Sequence, residues 1–298
     1  MKKSLKVTLG IVTGMAVTTG AGLLYAYNLV LLEKRSGIKK NSKKSELENI
    51  KEPLKIMYIG DSITSGVYSD DKMRANTGYR GQIDKILKDE NLFDSSINFA
   101  VGGFKFDDIQ KQLIEDQSFN EVNEIIRKKY PHVEEYYPPA VQDTTFKNEV
   151  RKSDVIISTI GANDILSSIK YRRGKMKVNY DSLFDAINKL NESKKSLYKE
   201  LREINPNVKI IDVGIYFAFP WIDEAYMKKL YPVLVFGETR MFINDRKNGI
   251  YFTKIRDNMA ANLRQFIDNP RNIHPNEEGY GIIANEVLKT INDAFEKN

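Results

Sequence analysis

The chain has 298 residues, 41% hydrophobic and 29% charged, with a formal net charge of +6 and no cysteine. That composition fits one sizeable folded domain preceded by a distinct N-terminal region, and it excludes disulfides, thiolate metal sites, a cysteine nucleophile and a lipidated N-terminal cysteine. The basic excess follows no zinc-finger spacing and no basic–aromatic strip, so nucleic acid is not an expected partner.

From Val7 to Leu32 no residue is charged, and Lys2, Lys3 and Lys6 precede the run. At about 1.5 Å of rise per residue such a segment crosses a hydrocarbon core of about 30 Å. The apolar run continues past its small residues through "YNLVLL", so residues 1–32 read as an uncleaved signal-anchor, one transmembrane helix, rather than a cleaved secretory signal. Cleavage would make the protein secreted. Residues 33–51 are charged and lack apolar periodicity; with Lys34, Arg35, Lys39, Lys40, Lys43 and Lys44 they read as a linker. The downstream flank holds more Lys and Arg than the upstream tail, so charge alone does not fix the orientation in the membrane. Residues 52–298 form the predicted folded domain.

In that domain, apolar runs ending in glycine or polar residues alternate with helical patterns. Strands are expected at 54–60 ("LKIMYIG"), 96–103 ("SINFAVGG"), 154–164 ("DVIISTIGAND") and 208–217 ("VKIIDVGIYF"). Helices are expected at 79–90, 106–116, 181–204, about 253–267 and 276–296. This alternation predicts an α/β fold with a parallel sheet covered on both faces, and ligands of such sheets bind outside the carboxyl ends of the strands. Two aromatic- and proline-rich stretches, 117–150 and 216–250, are long for simple connections. The second carries Trp221, Tyr226, Leu230, Tyr231, Val235 and Phe236, which suit an acyl-binding wall or lid as well as plain packing.

Three strand tips carry the chemistry. "GDSITSG" puts Ser62 directly after a strand, where its hydroxyl and its N–H can face one cleft, with Asp61 capping the turn. The motif lacks the ending of a phosphate-binding loop and the dinucleotide glycine pattern. "NFAVGG" offers Gly102 and Gly103 for close backbone approach. "GAND" offers Asn163, whose amide can donate to a developing oxyanion. Taken singly, each is as well explained by a helix cap or a tight turn. His132 and His274 are the two histidines. His132 has no nucleophile motif beside it and reads as an insertion-packing residue, whereas His274 lies in "NIHPNEEGY" near the C-terminus.

In that order, "GDSITSG", "NFAVGG", "GAND" and "NIHPNEEGY" resemble the SGNH or GDSL-type hydrolases, and the likeness spans about residues 54–290. Membrane-tethered or secreted bacterial lipase/acylhydrolase members are the most similar. The resemblance implies a three-layer α/β/α flavodoxin-like fold. It implies Ser62 as nucleophile and His274 as base, with an oxyanion hole built from Ser62, Gly103 and Asn163. It implies ester hydrolysis without metal or cofactor, on a lipid or an acylated glycan, by a domain outside the cytoplasm. Acyl transfer at the same site is a variant of this reading. A non-catalytic surface module that binds glycan or protein is the alternative from another class.

One position departs from the pattern. Many members carry Asp three residues before the histidine, and Arg271 stands there in this chain. Arginine only donates hydrogen bonds and would oppose an imidazolium, so it does not orient His274. A backbone carbonyl, a water, Asn272 or Asp268 remain as supports. A Ser62–His274 dyad with neutral help is the expected arrangement, and Asp268 as a true third member is the alternative.

Overall fold

The computed structural model describes residues 47–74, 76–132, 143–172, 175–216, 233, 235–239, 250–269 and 272–296. The predicted transmembrane segment at 1–32 lies outside the described residues, and among these no helix is long and apolar enough to cross a membrane. The end of the expected linker is anchored on the domain. The Asn49 backbone N–H donates to Asn292 Oδ1 at 3.0 Å, and Ile50 is buried.

Five parallel strands form the central sheet: β1 (Leu54–Ile59), β2 (Phe93–Asn98), β3 (Val155–Ser158), β6 (Lys209–Val213) and β7 (Tyr251–Thr253), in the order β2-β1-β3-β6-β7. A separate hairpin pairs β4 (Ile169–Arg172) with β5 (Lys175–Val178). Strand periodicity sorts the core into two layers. Met57, Ile59, Ile156 and Ile210 face α3 (Phe106–Glu115), α4 (Phe119–Lys129), α5 (Phe146–Lys152) and α7 (Tyr180–Ile204). Their alternates Ile56, Tyr58, Val155, Ile157 and Ile211 face α2 (Gly78–Asp89), α8 (Arg256–Ala261) and α10 (Glu277–Ala294). The result is a sheet with a helical layer on each face, as the alternation of apolar strands and helices predicts.

Several expected boundaries move, each for a local reason. The predicted strand 96–103 stops at Asn98, whose Oδ1 accepts from the Ala100 N–H at 3.0 Å and turns the chain. The predicted strand 154–164 stops at Ser158, because Gly161 with φ +120° opens α6 (Ala162–Leu166). The predicted helix 253–267 begins as β7 and then divides into α8 and α9 (Leu263–Phe266) at Asn262, whose backbone is not helical. In the second long stretch, Val233 and Val235 are buried in the core and Phe236 packs edge-on against Phe184 of α7 at 6.1 Å. These contacts favour packing there. Trp221, Tyr226, Leu230 and Tyr231 lie outside the described residues.

Candidate active site

β1 lies between β2 and β3, so the tip of β1 sits between the other two tips. The chain also runs from β1 outward to β2 on one side and back to β3 on the other, which makes this the switch point where open parallel sheets leave a crevice. Ser62 is the first residue of α1 (Ser62–Ser65) directly beyond β1, and it is largely buried. The Val101 N–H donates to the Gly60 carbonyl at 3.2 Å, which joins the β2 tip to the nucleophile turn.

The β2 tip is a tight turn, closed by the Phe104 N–H donating to the Val101 carbonyl at 3.1 Å. Gly103 occupies its third position with φ +81°, a conformation that favours glycine. From the other side, Asn163 in α6 donates its Nδ2 to the Phe104 carbonyl at 2.9 Å. That bond brings Asn163 and the Gly103 turn together beside the Ser62 turn and uses one of the two amide hydrogens. The Gly103 and Ser62 N–H groups donate to no described residue. The turns that carry Ser62, Gly103 and Asn163 thus adjoin at one end of the sheet. Lys129 Nζ also donates to the Gly102 carbonyl.

Asp61 holds the turn from beneath. Its Oδ1 accepts from the Ile63 N–H at 3.0 Å and from Thr159 Oγ1 at 3.1 Å. Since Thr159 donates there, its oxygen accepts from Thr64 at 2.7 Å, and Thr64 in turn accepts from Tyr79 at 2.6 Å. A Cβ at Gly60 would sit 2.4 Å from Thr159 Oγ1, so glycine is what lets the β3 tip close on the turn.

Burial pushes the Asp61 carboxyl up to about 6, although its hydrogen bonds and the charge of Lys194 pull it down. Lys194 is itself paired with Asp212 at 2.7 Å. A carboxyl raised by folding contributes full stability below its unfolded value, and that contribution is lost as pH rises to its folded value. The loss is about 3 kcal/mol for about two units at 1.36 kcal/mol each. Asp61→Asn keeps the cap and removes the titration. It should raise the melting temperature at pH 7–8 and leave it unchanged near pH 3.5. A gain independent of pH would show that Asp61 is not the group responsible.

His274 lies between α9 and α10. Its Nδ1 is 2.5 Å from Asn272 Oδ1, and Asn272 is buried. The same oxygen accepts from the backbone N–H groups of Ile273 at 2.7 Å and His274 at 3.0 Å. The segment is laced to the loop that follows the nucleophile helix. Tyr280 Oη donates to the Val67 carbonyl at 2.5 Å, and the Val67 N–H donates to the Ser62 carbonyl at 3.0 Å. Tyr216, beyond the end of β6, donates to the Ile273 carbonyl at 2.7 Å. Burial draws the imidazole down to about 4, with the charge of Asp71 acting in the opposite direction. The ring is therefore neutral at neutral pH, and Nε2 meets no described hydrogen-bonding partner. That is the state a general base needs.

Asp268 does not reach the imidazole. Its Oδ2 accepts from Asn276 Nδ2 at 3.2 Å, at the cap of α10. Arg271 lies outside the described residues. His132 Nε2 is 3.3 Å from the Met73 carbonyl, consistent with a packing role. The sequence reading missed Tyr216, Lys129 and Asp71. Tyr216 follows a strand tip, which was a usable signal. The other two are brought in by tertiary contacts that no spacing reveals.

Residues 58–282 match the model of the GDSL-like lipase/acylhydrolase family. No relative was found among curated proteins. The fold is similar to that of the lipase Lip_vut3 from a goat rumen metagenome, at 19% identity and TM-score 0.54, covering 80% of this chain and 97% of that one. It is also similar to a catalytic variant of Axe2, an acetylxylan esterase from Geobacillus stearothermophilus, at 16% identity and TM-score 0.52, covering 82% and 96%.

Proposed function

We propose, for a chain that belongs to the GDSL-like lipase/acylhydrolase family and is a serine ester hydrolase, that Ser62 is the nucleophile and His274 its base. Ser62 Oγ attacks the acyl carbonyl while its proton passes to His274 Nε2. The carbonyl oxygen becomes an oxyanion facing the Ser62 and Gly103 N–H groups and the free amide hydrogen of Asn163. The bond to the alcohol breaks, and the imidazolium returns the proton to the leaving oxygen. Water then attacks the acyl-enzyme by the same route, releasing the acid and free Ser62.

The observation that carries this reading is that the turns bearing Ser62, Gly103 and Asn163 follow neighbouring strands and are joined by the bond from Asn163 to the Phe104 carbonyl. The similar folds include one named a lipase and one named an acetylxylan esterase, which supports carboxylic esters of lipids or acylated glycans as the substrate class. The uncharged run from Val7 to Leu32 supports a membrane-anchored enzyme, and the resemblance to tethered or secreted members supports a catalytic domain outside the cytoplasm. A serine-reactive fluorophosphonate should label the full chain and fail to label Ser62→Ala. Equal labelling of both would remove Ser62 from the chemistry. A p-nitrophenyl ester series from acetyl to dodecanoyl then separates short-acyl from lipid-like preference.

A further inference from the structure

Asn272 is surrounded so that its amide has one orientation. Around Nδ2 lie three acceptors: the carbonyls of Ser69 at 2.9 Å and Tyr68 at 3.2 Å, and Asp71 Oδ1 at 2.6 Å. Around Oδ1 lie two backbone N–H groups, of Ile273 and His274. Backbone donors and carbonyls cannot exchange roles, so the oxygen must face the imidazole. His274 Nδ1, 2.5 Å from that oxygen, then carries a hydrogen, and Nε2 keeps its lone pair.

The shortest of the three contacts that fix the amide is the one Nδ2 donates to the carboxylate of Asp71. Asp71 stands in the loop directly after the nucleophile helix. The loop is closed by an antiparallel bridge between Val67 and Met73 and by the Tyr68 N–H donating to the Lys72 carbonyl at 2.9 Å. Asp71 takes φ +63°, a conformation uncommon outside glycine that Asp tolerates better than most residues. Two further bonds fasten this loop to the histidine segment, Asn269 Nδ2 to the Ser69 carbonyl at 2.7 Å and Tyr68 Oη to Glu277 at 2.6 Å.

We propose that Asp71 is the positioning acid of this site, acting on His274 through the amide of Asn272 in place of a carboxylate that touches the imidazole. The proposal rests on the assignment of Ser62 and His274 above. Asp71 draws on the amide hydrogens, and a polarised amide makes Oδ1 a stronger acceptor for Nδ1–H. The bond therefore tightens as positive charge develops on the ring. No proton crosses Asn272: Nδ1 keeps its hydrogen throughout, and the one proton that moves shuttles between Ser62 Oγ, Nε2 and the leaving oxygen. The negative charge missing from the position of Arg271 is thus supplied by Asp71, which is 201 positions from Asn272 in sequence.

The test compares Asp71→Asn with Asp70→Asn in the full chain, using one p-nitrophenyl ester and the fluorophosphonate. Asp70 lies in the same loop and pairs with Arg74 at 2.5 Å, away from Asn272. Asp71→Asn should lower kcat by roughly 10–100-fold with KM within twofold, by analogy with the loss of a partner that orients a metal-ligating histidine. Asp70→Asn should leave both constants within twofold. If Asp71→Asn fails to fold by its melting curve, Asp71→Gly takes its place, because glycine accepts the positive φ and the carbonyls of Tyr68 and Ser69 still hold the amide. A kcat loss below tenfold, a loss confined to KM, or an equal loss in Asp70→Asn overturns the relay. Failure of the wild type to react with the fluorophosphonate would instead overturn the Ser62 assignment, and the relay with it.

Discussion

His274→Ala should reduce turnover by about 10⁶, the scale seen when the base of a serine hydrolase is removed outright. A serine hydroxyl is a weak nucleophile until a base accepts its proton. Among the described residues no other side chain bonds to Asn272 Oδ1, the oxygen that faces the imidazole, and the Asp71 carboxylate is engaged on the opposite, Nδ2 side of the amide. His132 cannot substitute, since its ring is engaged with the Met73 carbonyl. The residual rate should come from the oxyanion donors alone. Asp268→Asn is the matched control and should change turnover by less than tenfold, because its carboxylate supports the Asn276 cap rather than the imidazole. Turnover with p-nitrophenyl acetate reads both variants. His274→Ala above about 1% of wild type would remove the histidine as base. A loss near 10⁴ in a folded Asp268→Asn protein would restore Asp268 as a triad member.

The fold was legible where one element carried its own signal. The run 54–60 is apolar at every position but Lys55 and Gly60, and parallel strands buried on both faces read that way. The cap at Ser118 with Glu121 three residues on is a capping box that marked α4, although the sequence reading passed over it as part of an insertion. The short strand β7 falls between the expected insertion, which ends at 250, and the expected helix, which begins at about 253. Asn248-Gly249 followed by Ile250, Tyr251, Phe252 and Thr253 is a turn and strand signal, and it was outweighed by the helical spacing that follows. Ends of elements were misplaced where side chains bond the backbone, as at Asn98, because such bonds depend on geometry and not on hydrophobic period.

The site divides the same way. Ser62, Gly103 and Asn163 each follow a strand, and the sheet order sets those strands side by side, so the three motifs point to one end of the sheet. The support of His274 was only half legible. Asn272 is two residues from the histidine and could be named as a candidate. Asp71 could not, since nothing local to "YSDDK" announces that its fourth residue will face a segment near the other end of the chain.

Asn272→Leu should cost roughly 10⁴ in turnover, comparable to the loss when the histidine of the serine-protease template is held in the wrong tautomer. Leucine matches the volume of the side chain and removes every polar function from a buried position. His274 Nδ1 then has no acceptor, and nothing distinguishes the two neutral tautomers. The Ile273 and His274 N–H groups also lose their common acceptor, at a cost of about 1–3 kcal/mol for each buried group left unpaired, so the variant should melt lower. Stability and chemistry are separated by Asn272→Asp. It keeps the oxygen that faces the imidazole and the two backbone N–H groups, but it turns a second oxygen toward Asp71 Oδ1 and the carbonyls of Tyr68 and Ser69. Two carboxylates at about the 2.6 Å spacing of the present bond cannot both ionise, so one must hold a proton between them. A carboxyl placed directly against His274 should therefore fail to exceed the wild type at neutral pH, even though it restores the residue type most often found beside a catalytic histidine. Turnover above wild type in Asn272→Asp would mean that the amide is a poor substitute for a carboxylate and not a working part of the site.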